Sequence, residues 1–258
     1  MNRRSLFFAS HMACMLLLPV VAARAAETQV LSSGSMQTIM EELGPKFERA
    51  TGHKLTMTFD TVGGVVKRVK IGERADVVVS ARQGIEPLVT DGKTAAESIT
   101  VIAHSFVGAA VRKGVPRPDI SSPDALKRTL RAARSVTYSN PAFGGVSGVQ
   151  VVNVFERLGI ADEMKAKTVF LPKPGPVADL VANGKAEIAL QHVSELLPVP
   201  GIDIIGPLPR DLQEPILMAA AIMGSTKDAE AARALVHFLR TPEAAAVIKA
   251  KGMEPASR

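Results

Sequence analysis

The sequence predicts an α/β fold built as two lobes. Three observations predict it. Runs with strand character alternate with runs of helical periodicity along the whole chain. These runs fall into two successive βα sets, joined by two stretches, 100–112 and 198–223, that read as crossings between lobes. Three glycine- and serine-rich loops each follow a strand and open a helix. A chain of 258 residues, about 233 once the N-terminal export signal described below is removed, favours two modest cores over one large sheet when arranged in this way.

The first set opens with a short β-type run, Thr28 to Ser32. From Ser35, residues Met36, Ile39, Met40, Leu43 and Phe47 recur at helical spacing, with Pro45 expected to kink or end the helix. Lys54 to Phe59 alternates apolar and polar as a half-buried strand does. A short basic helix follows from Val65 to Ile71, and Asp76 to Ser80 reads as a strand buried on both faces. Gly84 to Asp91 is a helix stopped by Gly92. Thr100 to Arg112 is rich in β-formers and breaks near His104-Ser105.

The second set starts at Ser122-Pro123-Asp124, an N-cap, a first-turn proline and an acidic first turn. A strand is expected at Ser135 to Tyr138. A helix carries Val151, Val152, Phe155 and Leu158 on one face. A strand at Thr168 to Leu171, a helix at Val177 to Ala182 and a strand at Glu187 to His192 complete this set. The proline-rich stretch Pro198 to Pro209 reads as a linker, and Ile216 to Met223 as an apolar strand. Two helices, Asp228 to Leu239 and Glu243 to Lys249, close the chain.

The N-terminus has the layout of a secretory signal: Arg3 and Arg4, an apolar run from Leu6 to Ala23, and the small-x-small site Ala23-Arg24-Ala25. Cleavage is expected after Ala25. It would remove Arg3, Arg4 and Arg24 and no acid, so a formal charge of +6 becomes +3. It would also remove Cys14, the one cysteine. The remaining chain has no disulfide, no thiolate nucleophile and no cysteine-ligated metal. No other apolar run reaches membrane-spanning length, so the working protein is expected to be soluble and periplasmic. The charge is too mild, and too little interleaved with aromatics, for nucleic acid.

Chemistry is expected in the loops. Ser32-Ser33-Gly34-Ser35, Asp60-Thr61-Val62-Gly63-Gly64 and Gly144-Gly145-Val146-Ser147-Gly148 each offer free backbone N–H groups at a helix start. Singly, each reads as ordinary capping. Together, in one crevice, they point to an anion held without charged side chains. The candidate contacts are Ser33, Gly34, Ser35, Thr61, Gly63, Gly64, Val146, Ser147 and Gly148. No nucleotide-binding glycine motif, no Gly-x-Ser-x-Gly elbow and no metal-ligand spacing among His53, His104, His192 and His237 is present. His192 ends a strand where α/β proteins place ligand contacts, and serves as a donor to an anion or as a base. Glu195 is placed to orient it or to cap the following turn. Arg82 and Lys67 are candidates for added positive charge.

These loops in this order, with Ala75-Asp76-Val77-Val78-Val79-Ser80-Ala81, Phe155-Glu156-Arg157-Leu158-Gly159-Ile160 and Phe238-Leu239-Arg240-Thr241-Pro242-Glu243, resemble the periplasmic molybdate-binding proteins of ABC importers. The resemblance implies the type-2 periplasmic binding-protein fold, with a central ligand cleft and hinge crossings. It places residues 26–107 plus 204–258 in lobe 1 and 108–203 in lobe 2. It implies a monomer without metal or organic cofactor that passes a small anion to an ABC permease. Ser35 matches the first serine of that family's site. Gly63-Gly64 stands where a second serine is expected, and His192 stands at a tyrosine position. The stretch Gln191 to Gly201 resembles a divergent branch that includes the enzyme aconitate isomerase. The resemblance therefore leaves two expectations: capture of a molybdate-like oxyanion or small polycarboxylate for import, or interconversion of trans- and cis-aconitate with His192 as the base.

Overall fold

The computed structural model describes residues 27–257. The expected signal peptide, 1–25, and its cleavage site lie outside them. Strand β1 (Glu27–Ser33), helix α1 (Gln37–Thr51), β2 (Lys54–Asp60), α2 (Val62–Lys70), β3 (Val77–Ala81), α3 (Arg82–Thr90) and β4 (Thr100–Ser105) follow one another. The chain then passes to β5 (Val107–Arg112), α4 (Pro123–Ala132), β6 (Val136–Tyr138), α5 (Val146–Arg157), α6 (Ala161–Lys167), α7 (Ala178–Ala182), β7 (Ile188–His192), α8 (Val193–Leu196) and β8 (Ile202–Pro207). It returns through β9 (Ile216–Ile222), α9 (Ala229–Phe238), α10 (Pro242–Ala250) and β10 (Glu254–Pro255).

Two sheets result. One has six strands in the order β10-β4-β9-β3-β1-β2, and the other has four in the order β6-β7-β5-β8. Both are mixed: β1 runs parallel to β2 and β3, whereas β9 is antiparallel to β3 and β4. Helices cover both faces of each sheet, so the central strands are apolar throughout rather than alternating. In β3, Val77 and Val79 enter one core with Ile39, Leu43 and Phe47, while Val78 enters another with Val65, Ile85 and Leu88. In the smaller sheet, Val107, Ala109 and Val111 of β5 face Leu126, Val151 and Phe155, while Ala110 faces Ala178 and Val181.

The caps agree with the sequence. Ser122 Oγ accepts from the Ala125 amide, Asp228 from those of Glu230 and Ala231, and Thr241 from that of Ala244. Two local expectations are corrected, and the kink-or-end expectation at Pro45 is narrowed. Pro45 does not end α1, which runs to Thr51. The buried Ile39, Met40 and Leu43 before Pro45 and Phe47 after it anchor one continuous face. Their burial outweighs the ~3 kcal/mol that an interior proline costs. Residues 168–171 form no strand: Thr168 makes a single bridge to Val136, and the prolines at 172, 174 and 176 carry the chain away as a loop. Within the expected linker 198–209 lies a true strand, β8, paired antiparallel to β5 with the half-buried Ile202 and Ile204. Its prolines sit at or beyond its ends, where no ladder donor is needed.

The smaller sheet takes its strands from residues 107–207. The outward crossing is the single residue Phe106, and the return comes between Pro207 and Ile216. The buried side chain of Gln213 ties the two. Its Oε1 accepts from the Val107 amide at 2.9 Å, and its Nε2 donates to the carbonyls of Val107 and Leu208 at 3.1 and 2.8 Å. Arg210 stacks on the Phe106 ring, 3.8 Å from its centroid. The crossings are thus short, paired and stapled, which suits a hinge that bends at few residues.

Candidate functional site: the cleft between the sheets

The C-terminal ends of β1, β2, β6 and β7 turn toward one another and enclose a cleft of about 820 Å³. This is where α/β sheets place ligands, because helix starts and strand ends converge there. One wall carries Ser33, Gly34 and Ser35, together with Asp60, Thr61 and Val62. The opposite wall carries Ser139, Asn140, Val146 and Ser147, and the floor carries Gln191, His192, Ser194 and Glu195. Ser33 and Ser35 share a hydrogen bond between their hydroxyls at 3.0 Å. Helix α5 begins at Val146 after Gly145, with no side-chain cap on its first amides. A twelve-residue helix starting at the cleft wall presents those amides to an anion.

His192 is buried, and its Nδ1 lies 2.7 Å from Ser105 Oγ. Ser105 is the last residue before the outward crossing, so the ring is held by the hinge itself. Burial lowers the imidazole pKa from 6.5 to about 4. The ring is therefore neutral at pH 7, with Nε2 as the nitrogen left for cleft chemistry. Glu195 shifts the other way: burial raises its carboxyl to about 7, opposed by the Gln191 amide. Near neutrality the His192 ring is uncharged and the Glu195 carboxyl is partly protonated.

Contacts bridge the lobes around this cleft. Thr61 Oγ1 donates to the Phe143 carbonyl at 2.7 Å, Gly63 N to the Gly144 carbonyl at 3.2 Å, and Ser194 Oγ to the Ser35 carbonyl at 2.9 Å. Gly63 and Gly144 meet backbone to backbone, and a Cβ built on Gly144 would stand 2.5 Å from Gly63 Cα. Gly144 also has φ +75°, so glycine is needed there twice over.

A solute-capture architecture is what this geometry describes, and the sequence relationships agree. The family model for bacterial extracellular solute-binding proteins matches residues 28–254. The chain belongs to this family. Among curated relatives of this solute-binding protein, an aconitate isomerase from Pseudomonas sp. is 38% identical over 244 residues, covering 92% of this chain and 91% of the relative. The molybdate-binding protein ModA of Azotobacter vinelandii is 31% identical over 238 residues, covering 90% and 91%. Among solved structures, the Azotobacter vinelandii periplasmic molybdate-binding protein superposes with a TM-score of 0.76 at 22% identity, covering 89% of this chain and all of that one. The sulfate-binding protein SubI of Mycobacterium tuberculosis superposes at 0.73 and 17% identity, covering 90% and 88%. The structural likenesses establish the two-lobed fold.

The cleft of this solute-binding protein gathers Ser33, Gly34, Ser35, Thr61, Val146, Ser147 and His192. Gly63, Gly64 and Gly148 lie outside its lining and make room instead. Gly63 meets Gly144 as described above. A Cβ on Gly64 would stand 2.2 Å from Asp60 Oδ1, and one on Gly148 would stand 1.7 Å from the Ser139 carbonyl oxygen. Arg82 and Lys67 do not reach the cleft: Arg82 pairs with Glu86 at 2.9 Å, and Lys67 is exposed on α2. The positive charge comes from elsewhere. Arg68 lines the cleft, but Asp60 and Glu73 hold it at 2.8 and 2.9 Å. Lys173, on the loop after Leu171, has no carboxylate partner among the described residues. Its signal in the sequence was Pro172-Lys173-Pro174-Gly175-Pro176, a basic residue fixed among prolines ahead of a helix.

Gly34 provides a clean probe of the wall. A methyl there would stand 3.6 Å from Glu195 Oε1 and 3.9 Å from the Asp60 carbonyl, ordinary contact distances inside the cleft. Gly34→Ala is expected to change unfolding free energy by under about 0.5 kcal/mol while weakening anion capture about tenfold. Chemical denaturation and calorimetry on the same sample check both halves.

Among the described residues, no group of three His, Cys, Asp or Glu side chains could hold a metal ion, and no helix is long and apolar enough to cross a membrane.

Proposed function

We propose that the cleft captures a small polycarboxylate, in preference to a tetrahedral oxyanion, and that the protein works in the periplasm in partnership with an ABC permease. The observation that carries this reading is the spread of the polar groups. A four-oxygen anion needs one tight cage. Here donors are distributed over a cleft of about 820 Å³, from the Ser33–Ser35 loop to the start of α5 and on to Lys173. That distribution suits several carboxylates on one carbon frame, each taken by its own amide or hydroxyl cluster. The 38% identity to an aconitate isomerase supports a tricarboxylate. The 31% identity to a molybdate-binding protein supports the anion-binding and transport side.

A second reading is favoured by one specific feature, the neutral His192 ring held at Nδ1 by Ser105. A neutral imidazole facing a bound tricarboxylate can remove a proton from one carbon and return it to the allylic carbon, shifting the double bond without a cofactor. Backbone amides around the carboxylates would stabilise the charge that develops. The test is to incubate the purified chain with trans-aconitate and follow the cis isomer by chromatography. Turnover that disappears in His192→Ala supports isomerisation. Saturable binding with no turnover supports capture alone. Absence of both, with tight molybdate binding, would contradict the polycarboxylate reading.

A further inference from the structure

We infer that Ser105 is a positioning residue that fixes the tautomer of His192: its hydroxyl donates to Nδ1, so Nε2 carries the ring proton and meets the captured anion as a hydrogen-bond donor. The inference rests on the anion-capture reading and deepens it, because it gives His192 one of the two roles open to it. Its basis is where one buried hydroxyl proton can go. Ser105 is fully buried, and its Oγ lies 2.7 Å from His192 Nδ1. Among the described residues Oγ has no other hydrogen-bond partner. Two arrangements fit that distance. If Nδ1 held the proton and donated to Oγ, the serine proton would be left inside the protein with no acceptor in reach. If Oγ donates to Nδ1, that proton is used and the nitrogen lone pair is satisfied by the same bond. An unpaired buried donor costs free energy, so burial selects the second arrangement. In a neutral imidazole an accepting Nδ1 requires a protonated Nε2. An imidazolium would orphan the same serine proton, so the pair also favours the neutral ring.

The placement of the pair turns the tautomer into a ligand contact. Ser105 ends β4 of the six-stranded sheet, and His192 ends β7 of the four-stranded one. The backbone on both sides is fixed: His192 pairs with Val107 in the ladder, and the Val193 amide donates to the Phe106 carbonyl at 3.2 Å. Nε2 makes no hydrogen bond to a described residue, and it is not among the fully buried polar atoms left without a partner. It therefore opens onto the cleft that His192 lines. The ligand atom opposite it is an acceptor, which a carboxylate oxygen supplies. The base role in isomerisation needs the reverse arrangement. Nε2 must then be free of its proton, with Nδ1–H aimed at Oγ and the serine proton orphaned. Ser105 thus favours capture and opposes proton abstraction by the same ring.

The test is nitrogen NMR of the purified chain labelled at histidine, at pH 7.5, with the His192 signals assigned by their absence in His192→Gln. The expected result is an unprotonated Nδ1 and a protonated Nε2, and trans-aconitate is expected to move the Nε2 signal while leaving Nδ1 in place. Ser105→Ala is expected to draw the two signals toward each other and to weaken trans-aconitate binding in calorimetry by about threefold to tenfold. A protonated Nδ1 in the wild type overturns the inference. So does an Nε2 signal that saturating trans-aconitate leaves unmoved, or a Ser105→Ala spectrum identical to the wild type. The wild-type spectrum decides the tautomer even where Ser105→Ala folds poorly. If trans-aconitate does not bind, the polycarboxylate reading fails by itself. The unliganded wild-type spectrum then decides Ser105 separately: a protonated Nε2 supports the inference, and a protonated Nδ1 overturns it.

Discussion

Gly148→Ala is expected to destabilise the protein by about 3 kcal/mol and to abolish capture. Gly148 is the third residue of α5, and a methyl there would stand 1.7 Å from the Ser139 carbonyl oxygen and 2.8 Å from its carbon. Both are backbone atoms, so no rotamer change relieves the clash. Either α5 backs away from the β6 loop or that loop moves. Overpacking a fitted site costs about 1–3 kcal/mol, and an immovable neighbour puts this case at the upper end. The displaced parts are the start of α5 and the Ser139–Asn140 loop, one whole wall of the cleft. Gly175→Ala is the control. Its methyl would meet only Leu171 Cδ1 at 3.4 Å, and a shift under about 0.5 kcal/mol is expected. Urea unfolding of the three proteins measures the difference.

The second large effect is on acid stability. His192 titrates at about 4 when folded, below its ordinary value of 6.5. Between those values the unfolded chain holds a proton that the folded one does not. The stability tied to the neutral ring is complete above pH 6.5 and falls as the pH drops to about 4, by about 3 kcal/mol. Glu195 has the opposite sign: its folded value of about 7 lies above its ordinary value of 4.5. The folded state gains protons at Glu195 in the window from 7 down to 4.5, so that term grows on acidification. The two slopes oppose each other across most of the window. His192→Gln, which keeps an acceptor near Ser105, is expected to lose about 3 kcal/mol less than the wild type between pH 7 and 4. Glu195→Gln is expected to lose more than the wild type. Parallel pH profiles of unfolding free energy for all three proteins would contradict this assignment.

The fold was largely legible because its signals are local. The valine run at 77–79, capped helix starts and the order of the βα sets survive in any context. The misreadings fell where tertiary packing overrides local preference. Pro45 sits in a helix whose burial on both sides carries it through. Strand β8 is hidden among prolines because only its pairing with β5 makes it a strand. The loops Ser33–Ser35, Thr61–Val62 and Val146–Ser147 were legible as cleft walls because three such turns occur together, whereas any one of them alone reads as ordinary capping. What such a turn does residue by residue was not legible. Gly63, Gly64 and Gly148 look the same in sequence as Gly34, yet in space they are clearances for Gly144, Asp60 and Ser139. Ser105 holding His192 and Gln191 lying beside Glu195 depend on the hinge and the strand end, and no spacing announces them.

The central claim is that this cleft takes a polycarboxylate. The most direct measurement is calorimetric competition at pH 6.5 between trans-aconitate and molybdate on the same preparation. The account predicts one-to-one binding of trans-aconitate that molybdate displaces poorly and that Gly34→Ala weakens. Tight molybdate binding, unaffected by saturating trans-aconitate, would contradict it.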